Sequence, residues 1–154
     1  MIYEISTTNS EATQAVAAKL GRLLKSGETI ELASDLGGGK TTFVQGLMRG
    51  LGYSGEVTSP TFTLSQIYKV DSGLEVHHYD LYRLSQSGVV GEELEEDLAD
   101  PRIITVVEWA GIVDDELPQD RLRVMLEVTA ETGRILHFES SGAVSDRLIK
   151  ELKA

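Results

Sequence analysis

"ASDLGGGKTTF" occupies residues 33–43, and its reading decides the rest of the chain. Gly37, Gly38, Gly39, Lys40 and Thr41 match the second half of the phosphate-binding pattern G-x-x-x-x-G-K-[ST]. Ser34 stands where that pattern opens with glycine. Small residues let successive backbone N–H groups turn inward and cradle phosphate oxygens. A helix beginning near Thr41 adds its positive end to the same place. In such a loop Lys40 reaches the β- and γ-phosphates of a nucleotide, and the Thr41 hydroxyl ligands Mg²⁺. A β-rich run, "ETIELA" (28–33), leads into the loop, and the helical "TTFVQGLMRGLG" leaves it. That strand–loop–helix order is the context the motif requires. Ser34 turns on one angle: at positive φ a serine costs on the order of 1 kcal/mol, and at negative φ it is nearly neutral. The expectation is that it is tolerated and that the loop still binds nucleotide phosphates.

Outward from the loop, the chain has 154 residues and reads as one domain, residues 1–154, with room for a real core. It has no cysteine, so neither a disulfide framework nor a thiolate metal site is open to it. Its 14 basic against 25 acidic residues leave a formal charge of −11. A polyanion gripped across a broad surface needs the opposite sign, so any nucleic acid is expected to be engaged through another protein or a small patch. Much of the acid lies in "EELEEDLAD" (92–100), read as a solvated helix face, with a docking surface for a basic partner as the sharper alternative. Runs such as "IITVV" are too short to span a bilayer, and the N-terminus lacks a signal-peptide pattern. The expectation is a cytoplasmic protein with no membrane association.

The remaining segments alternate between strand and helix patterns. "IYEIS" (2–6) alternates as a half-buried strand, and a helix follows with Val16, Leu20, Leu23 and Leu24 on one face. Thr8 and Glu11 have capping-box spacing at its start, and Gly27 follows its end. "TFTLSQIYKV" and "LEVHHYDLYRL" read as strands around "DSG", and "VVGEELEEDLAD" as a short helix. "RIITVVEW" (102–109) has the apolar character of a strand buried on both faces of a parallel sheet. "RLRVMLEVTAETGRILHFES" reads as a hairpin turning at Gly133, and "SDRLIKELK" as a closing helix. The order implies an α/β fold with a mixed sheet and helices packed against it.

A P-loop needs further acids for its metal and its water. Asp80 ends "LEVHHYD", where a Walker-B carboxylate sits, although an ordinary strand-end acid reads equally well. Glu108 follows a run of Ile and Val at the carboxyl end of a central strand, the edge outside which open α/β sheets bind ligands. A capping or salt-bridged acid is its structural alternative. His77 and His78 are adjacent strand residues facing opposite sides, so they do not together make a metal site. Trp109 reads as a packing residue, with a place bordering the nucleotide or a partner as the alternative.

With "SPTFTL" (59–64), "HHYDLYRL" (77–84) and "VVEWA" (106–110) beside the loop, the chain resembles the TsaE family, also called the YjeE family. These are small P-loop ATPases of bacterial tRNA threonylcarbamoyladenosine biosynthesis. The resemblance runs from about Thr8 to Trp109. It implies a P-loop nucleotide-binding fold whose central parallel sheet is flanked by antiparallel strands. It places Leu36, Gly37, Gly38, Gly39, Lys40, Thr41 and Thr42 around the phosphates of ATP. It implies Mg²⁺ held by Thr41, Asp80 and Glu108, with Lys40, Asp80 and Glu108 as the catalytic set. Thr61 and Thr63 become candidate nucleotide-sensing residues and Arg83 a phosphate or partner contact, while Glu11 falls near the base. Family members act with TsaD and TsaB on adenosine 37 of tRNA, so tRNA is expected only indirectly, through those partners. Two other readings stay open at this point: a P-loop kinase of a small molecule or nucleotide, and a nucleotide-gated interaction module with negligible turnover.

Overall fold

The computed structural model describes residues 1–35, 37–60 and 63–154. Its elements are β1 (Ile2–Thr7), α1 (Ser10–Leu23), β2 (Thr29–Ala33), α2 (Lys40–Gly50), β3 (Ser65–Lys69) and β4 (Glu75–Asp80). After these come α3 (Gly88–Leu98), β5 (Ile103–Glu108), a 3-10 turn (Ala110–Val113), β6 (Leu122–Val128), β7 (Arg134–Glu139) and α4 (Ala143–Lys153). The strands form one sheet in the order β1-β7-β6-β2-β5-β4-β3. Its centre is parallel: β6 with β2, β2 with β5, and β5 with β4. Antiparallel strands flank it, β3 on one side, β7 and then β1 on the other.

Residue chemistry accounts for this layout. Every residue of β5 is buried, as its run of Ile and Val requires of a central strand covered on both faces. On one face α1, α2 and α4 bring Leu20, Phe43, Leu47 and Ile149 against Ile30, Leu32, Ile104 and Val106. On the other, α3 and the 3-10 turn bring Leu94, Ala110 and Val113 against Tyr79 and Val107. Alternation along β5 assigns Val106 to one core and Val107 to the other. Each such fully buried side chain contributes roughly 1.5–3 kcal/mol. α1 and α2 touch backbone to backbone, because a Cβ on Gly46 would lie 2.4 Å from the Gln14 carbonyl oxygen. This close packing fixes the start of α2, and so the lysine of the loop, against the sheet.

Two local expectations are corrected. The cap of α1 is Asn9, whose Oδ1 accepts from the Ala12 N–H at 2.8 Å, rather than the expected box of Thr8 and Glu11. An asparagine one residue nearer the helix reaches the free N–H group more directly. The helix also ends at Leu23, with Leu24 already extended, ahead of Gly27 at φ +69°. The hairpin of β6 and β7 forms as expected, and β6 joins beside β2, next to the glycine loop. Among the described residues no helix is long and apolar enough to cross a membrane.

Candidate phosphate-binding site

The loop leaves the carboxyl end of β2 and enters α2. Gly37 and Gly39 have φ of +75° and +100°, a region that side-chain-bearing residues rarely adopt. Ser34 is not so strained: among described non-glycine residues only Leu64 and Trp109 have positive φ. The Ser34 hydroxyl donates to the Asp35 carbonyl at 2.8 Å. It also fills the space above Gly38, where a Cβ would lie 2.4 Å from Ser34 Oγ. The residue that departs from the opening glycine is therefore packed against another glycine of the same loop.

A cavity of about 290 Å³ opens over the loop, and residues 37–42 form one wall. Ser59, Asp80, Glu108 and Trp109 form the other. Asp80 and Glu108 are the last residues of β4 and β5 and stand level in the parallel register. Both are buried. Asp80 Oδ1 accepts from the Tyr82 N–H at 3.1 Å. Lys40 Nζ donates to the Ser34 carbonyl at 3.3 Å and lies 3.9 Å from Glu108 Oε1. It also sits 4.9 Å from the centroid of the Trp109 ring. Glu108 Oε2 meets His78 Nε2 at 2.5 Å. A buried carboxylate is costly without partners, and here a lysine and a histidine supply them. Trp109 holds a left-handed backbone, φ 57° and ψ 52°, at the sharp turn after Glu108. Strain of that kind costs of order 1–3 kcal/mol and collects at functional sites.

A second, smaller cavity of about 110 Å³ adjoins Gly39 and Thr42, lined by Ser10, Thr13, Thr132 and Arg134. Arg134 Nε donates to the Gly38 carbonyl at 2.9 Å, and Nη1 donates to that of Gly133 at 2.7 Å. One guanidinium thus ties the β6–β7 hairpin to the glycine loop.

The fold agrees with the comparisons. The family model described as "Threonylcarbamoyl adenosine biosynthesis protein TsaE" matches residues 7–136. The chain belongs to the TsaE family. A TsaE protein of Bacillus subtilis is 35% identical over 151 residues, covering 95% of this chain and 90% of the relative. One from Streptomyces coelicolor is 39% identical over 110 residues, covering 71% and 74%. Both carry the name "tRNA threonylcarbamoyladenosine biosynthesis protein TsaE". The crystal structure of Bacillus subtilis YdiB superposes with a TM-score of 0.82 at 31% identity, covering 99% of this chain and 95% of that one.

In this TsaE-family chain, Gly37, Gly38, Gly39, Lys40, Thr41, Thr42, Asp80 and Glu108 all line one cavity. Leu36 and Thr61 lie outside the described residues. Glu11 is exposed and lines neither cavity, while its neighbours Ser10 and Thr13 line the smaller one. Of "SPTFTL", Ser59 faces the loop, whereas exposed Thr63 donates to the Ser65 carbonyl at 3.1 Å. Arg83 is exposed and does not line either cavity. His78 and Arg134 were not singled out from the sequence for this site. The two-residue period of β4 puts His78 on the side of Asp80, a usable signal. No local pattern marks Arg134, because its contact spans 96 positions.

Proposed function

We propose that this chain is the ATP-binding and ATP-hydrolysing subunit of a tRNA N6-threonylcarbamoyladenosine pathway, serving adenosine 37 with TsaD- and TsaB-like partners in the cytoplasm. One observation carries the ATPase reading: the P-loop lysine and two level strand-end carboxylates face a single cavity. The pathway comes from the names of the relatives. Residues 1–154 act as one nucleotide-binding domain in this reading.

The roles follow from position. Backbone N–H groups of the loop and the start of α2 bind phosphate oxygens. Lys40 exchanges Glu108 for the β- and γ-phosphates, which are the stronger attraction for its charge. Glu108, released from the lysine, orients the attacking water. Thr41 and Asp80, together with Glu108, are the residues that would hold Mg²⁺. Mg²⁺ when bound neutralises charge on the β- and γ-phosphates. Among the described residues no three His, Cys, Asp or Glu side chains are spaced to cage a metal by themselves. That suits Mg²⁺, which takes one or two carboxylates plus phosphate oxygens rather than an all-protein cage. The net charge of −11 suits a subunit that meets proteins and leaves tRNA to its partners.

Calorimetric titration with Mg-ATP and a phosphate-release assay test the proposal. The expected result is binding, with phosphate released and no acceptor phosphorylated. Absence of binding near millimolar ATP would refute it, and transfer to an acceptor would make the protein a kinase. A pull-down with ATP is expected to recover a two-subunit tRNA-modifying enzyme.

A further inference from the structure

We propose that His78 is a positioning residue for Glu108, holding one carboxylate oxygen so that the other faces the phosphates and the attacking water. This rests on the reading of Glu108 given above. The sheet brings the two together: His78 pairs with Val106 in register, two residues before the Asp80–Glu108 level. Side chains two apart on a strand share a face, so His78, Asp80 and Glu108 all point to the α2 side. His78 Nε2 lies 2.5 Å from Glu108 Oε2, and both side chains are almost wholly buried. Glu108 Oε1 is the oxygen turned toward Lys40. The carboxylate thus has a protein-facing oxygen and a cavity-facing one, and the imidazole decides which is which.

His78 Nδ1 is buried and has no hydrogen-bond partner among the described residues. Its neighbour His77 has carboxylates at both ring nitrogens. Leaving a buried polar atom unsatisfied is costly. Among the described residues the ring's one hydrogen bond is to Glu108, whereas His77 has two. When ATP draws Lys40 away, His78 is the contact that keeps the Glu108 carboxylate from rotating.

The test compares His78→Asn, whose shorter amide does not reach Glu108, with His78→Gln, whose amide nitrogen occupies the place of Nε2. Single-turnover ATP hydrolysis and Mg-ATP affinity are measured on the full chain. Hydrolysis by His78→Asn is expected to fall by roughly 10–100-fold, the usual effect of losing a group that orients a site residue. Affinity is expected to stay at the wild-type value, and His78→Gln to recover most of the rate. On a Glu108→Gln background, His78→Asn should add nothing, because both changes act at one carboxylate. Wild-type hydrolysis by His78→Asn would overturn the inference. So would a loss of affinity equal to the loss of rate, a His78→Gln variant as slow as His78→Asn, or full additivity with Glu108→Gln. Wild-type hydrolysis by Glu108→Gln alone would remove the hydrolytic reading of Glu108 itself, and the role of His78 would fall with it.

Discussion

His77 and His78 are consecutive residues of one strand with opposite employment. His78 faces α2 and meets the acid at the end of β5. His77 faces α3, where Nδ1 meets Asp97 at 2.8 Å and Nε2 meets Glu75 at 3.1 Å. The Tyr79 hydroxyl donates to the same Asp97. That second cluster is fully partnered and pins the acidic helix α3 to the sheet. The first has, among the described residues, a ring nitrogen without a partner and stands beside a cavity. In the proposed reading one face of β4 serves chemistry and the other serves attachment, and a two-residue period is all that separates them.

If that division holds, changes on the α2 face should cost activity and changes on the α3 face should cost stability. The largest effect is expected from Lys40→Ala, which should lower ATP hydrolysis by about 10²–10³-fold, the scale of losing one key charge-stabilising donor. Its thermal midpoint should stay close to wild type, and unchanged hydrolysis would dissolve the α2-face assignment. Leu94→Ala, in the core under α3, should destabilise the fold by about 2–5 kcal/mol in urea denaturation, with ATP affinity kept at sub-saturating denaturant. Loss of ATP binding without loss of stability would contradict the division.

Tyr79→Phe is expected to cost about 1 kcal/mol, the net worth of one hydrogen bond. Burial first, then the bond to Asp97, push the Tyr79 phenol far above its ordinary pKa. The folded value is the raised one, so the neutral phenol stabilises the fold fully below about pH 10 and less as pH rises beyond it. Wild type should therefore lose stability on the alkaline side, and Tyr79→Phe should lose less. Equal alkaline slopes would place the phenol outside the attachment cluster. The smallest effect belongs to Ser34→Gly, within about 0.5 kcal/mol of wild type and with Mg-ATP affinity retained. A marked gain in affinity would mean that the serine obstructs the phosphates.

Much of this was legible in the chain because it depends on short-range pattern. The glycine loop, the apolar run of β5 and the DSG and Gly133 turns each declare themselves within about ten residues. Asp80 and Glu108 were readable because strand ends and the carboxyl edge of a parallel sheet are local and topological rules. Other features depend on tertiary neighbours. Whether β6 pairs with β2 or adds at an outer edge is decided by packing across the whole sheet, and the Arg134–Gly38 contact follows from that choice. Asn9 displaced Thr8 as the cap because a shift of one residue changes which N–H lies within reach. Glu11 was carried over by family likeness, whereas cavity shape turns on Ser10 and Thr13.

The contact between Ser34 and Gly38 restricts the order in which this loop can change. Adding a side chain at 38 first would meet three atoms closer than 3 Å, two of them from the serine. With glycine restored at 34, the two nearest of those atoms are gone and the Asp35 carbonyl oxygen, 2.9 Å from that Cβ, is the next to give way. The two positions form a one-way gate in sequence space: the serine must leave before residue 38 can grow. Library designs that vary Gly38 alone would sample dead ends, while those that vary the pair reopen the loop.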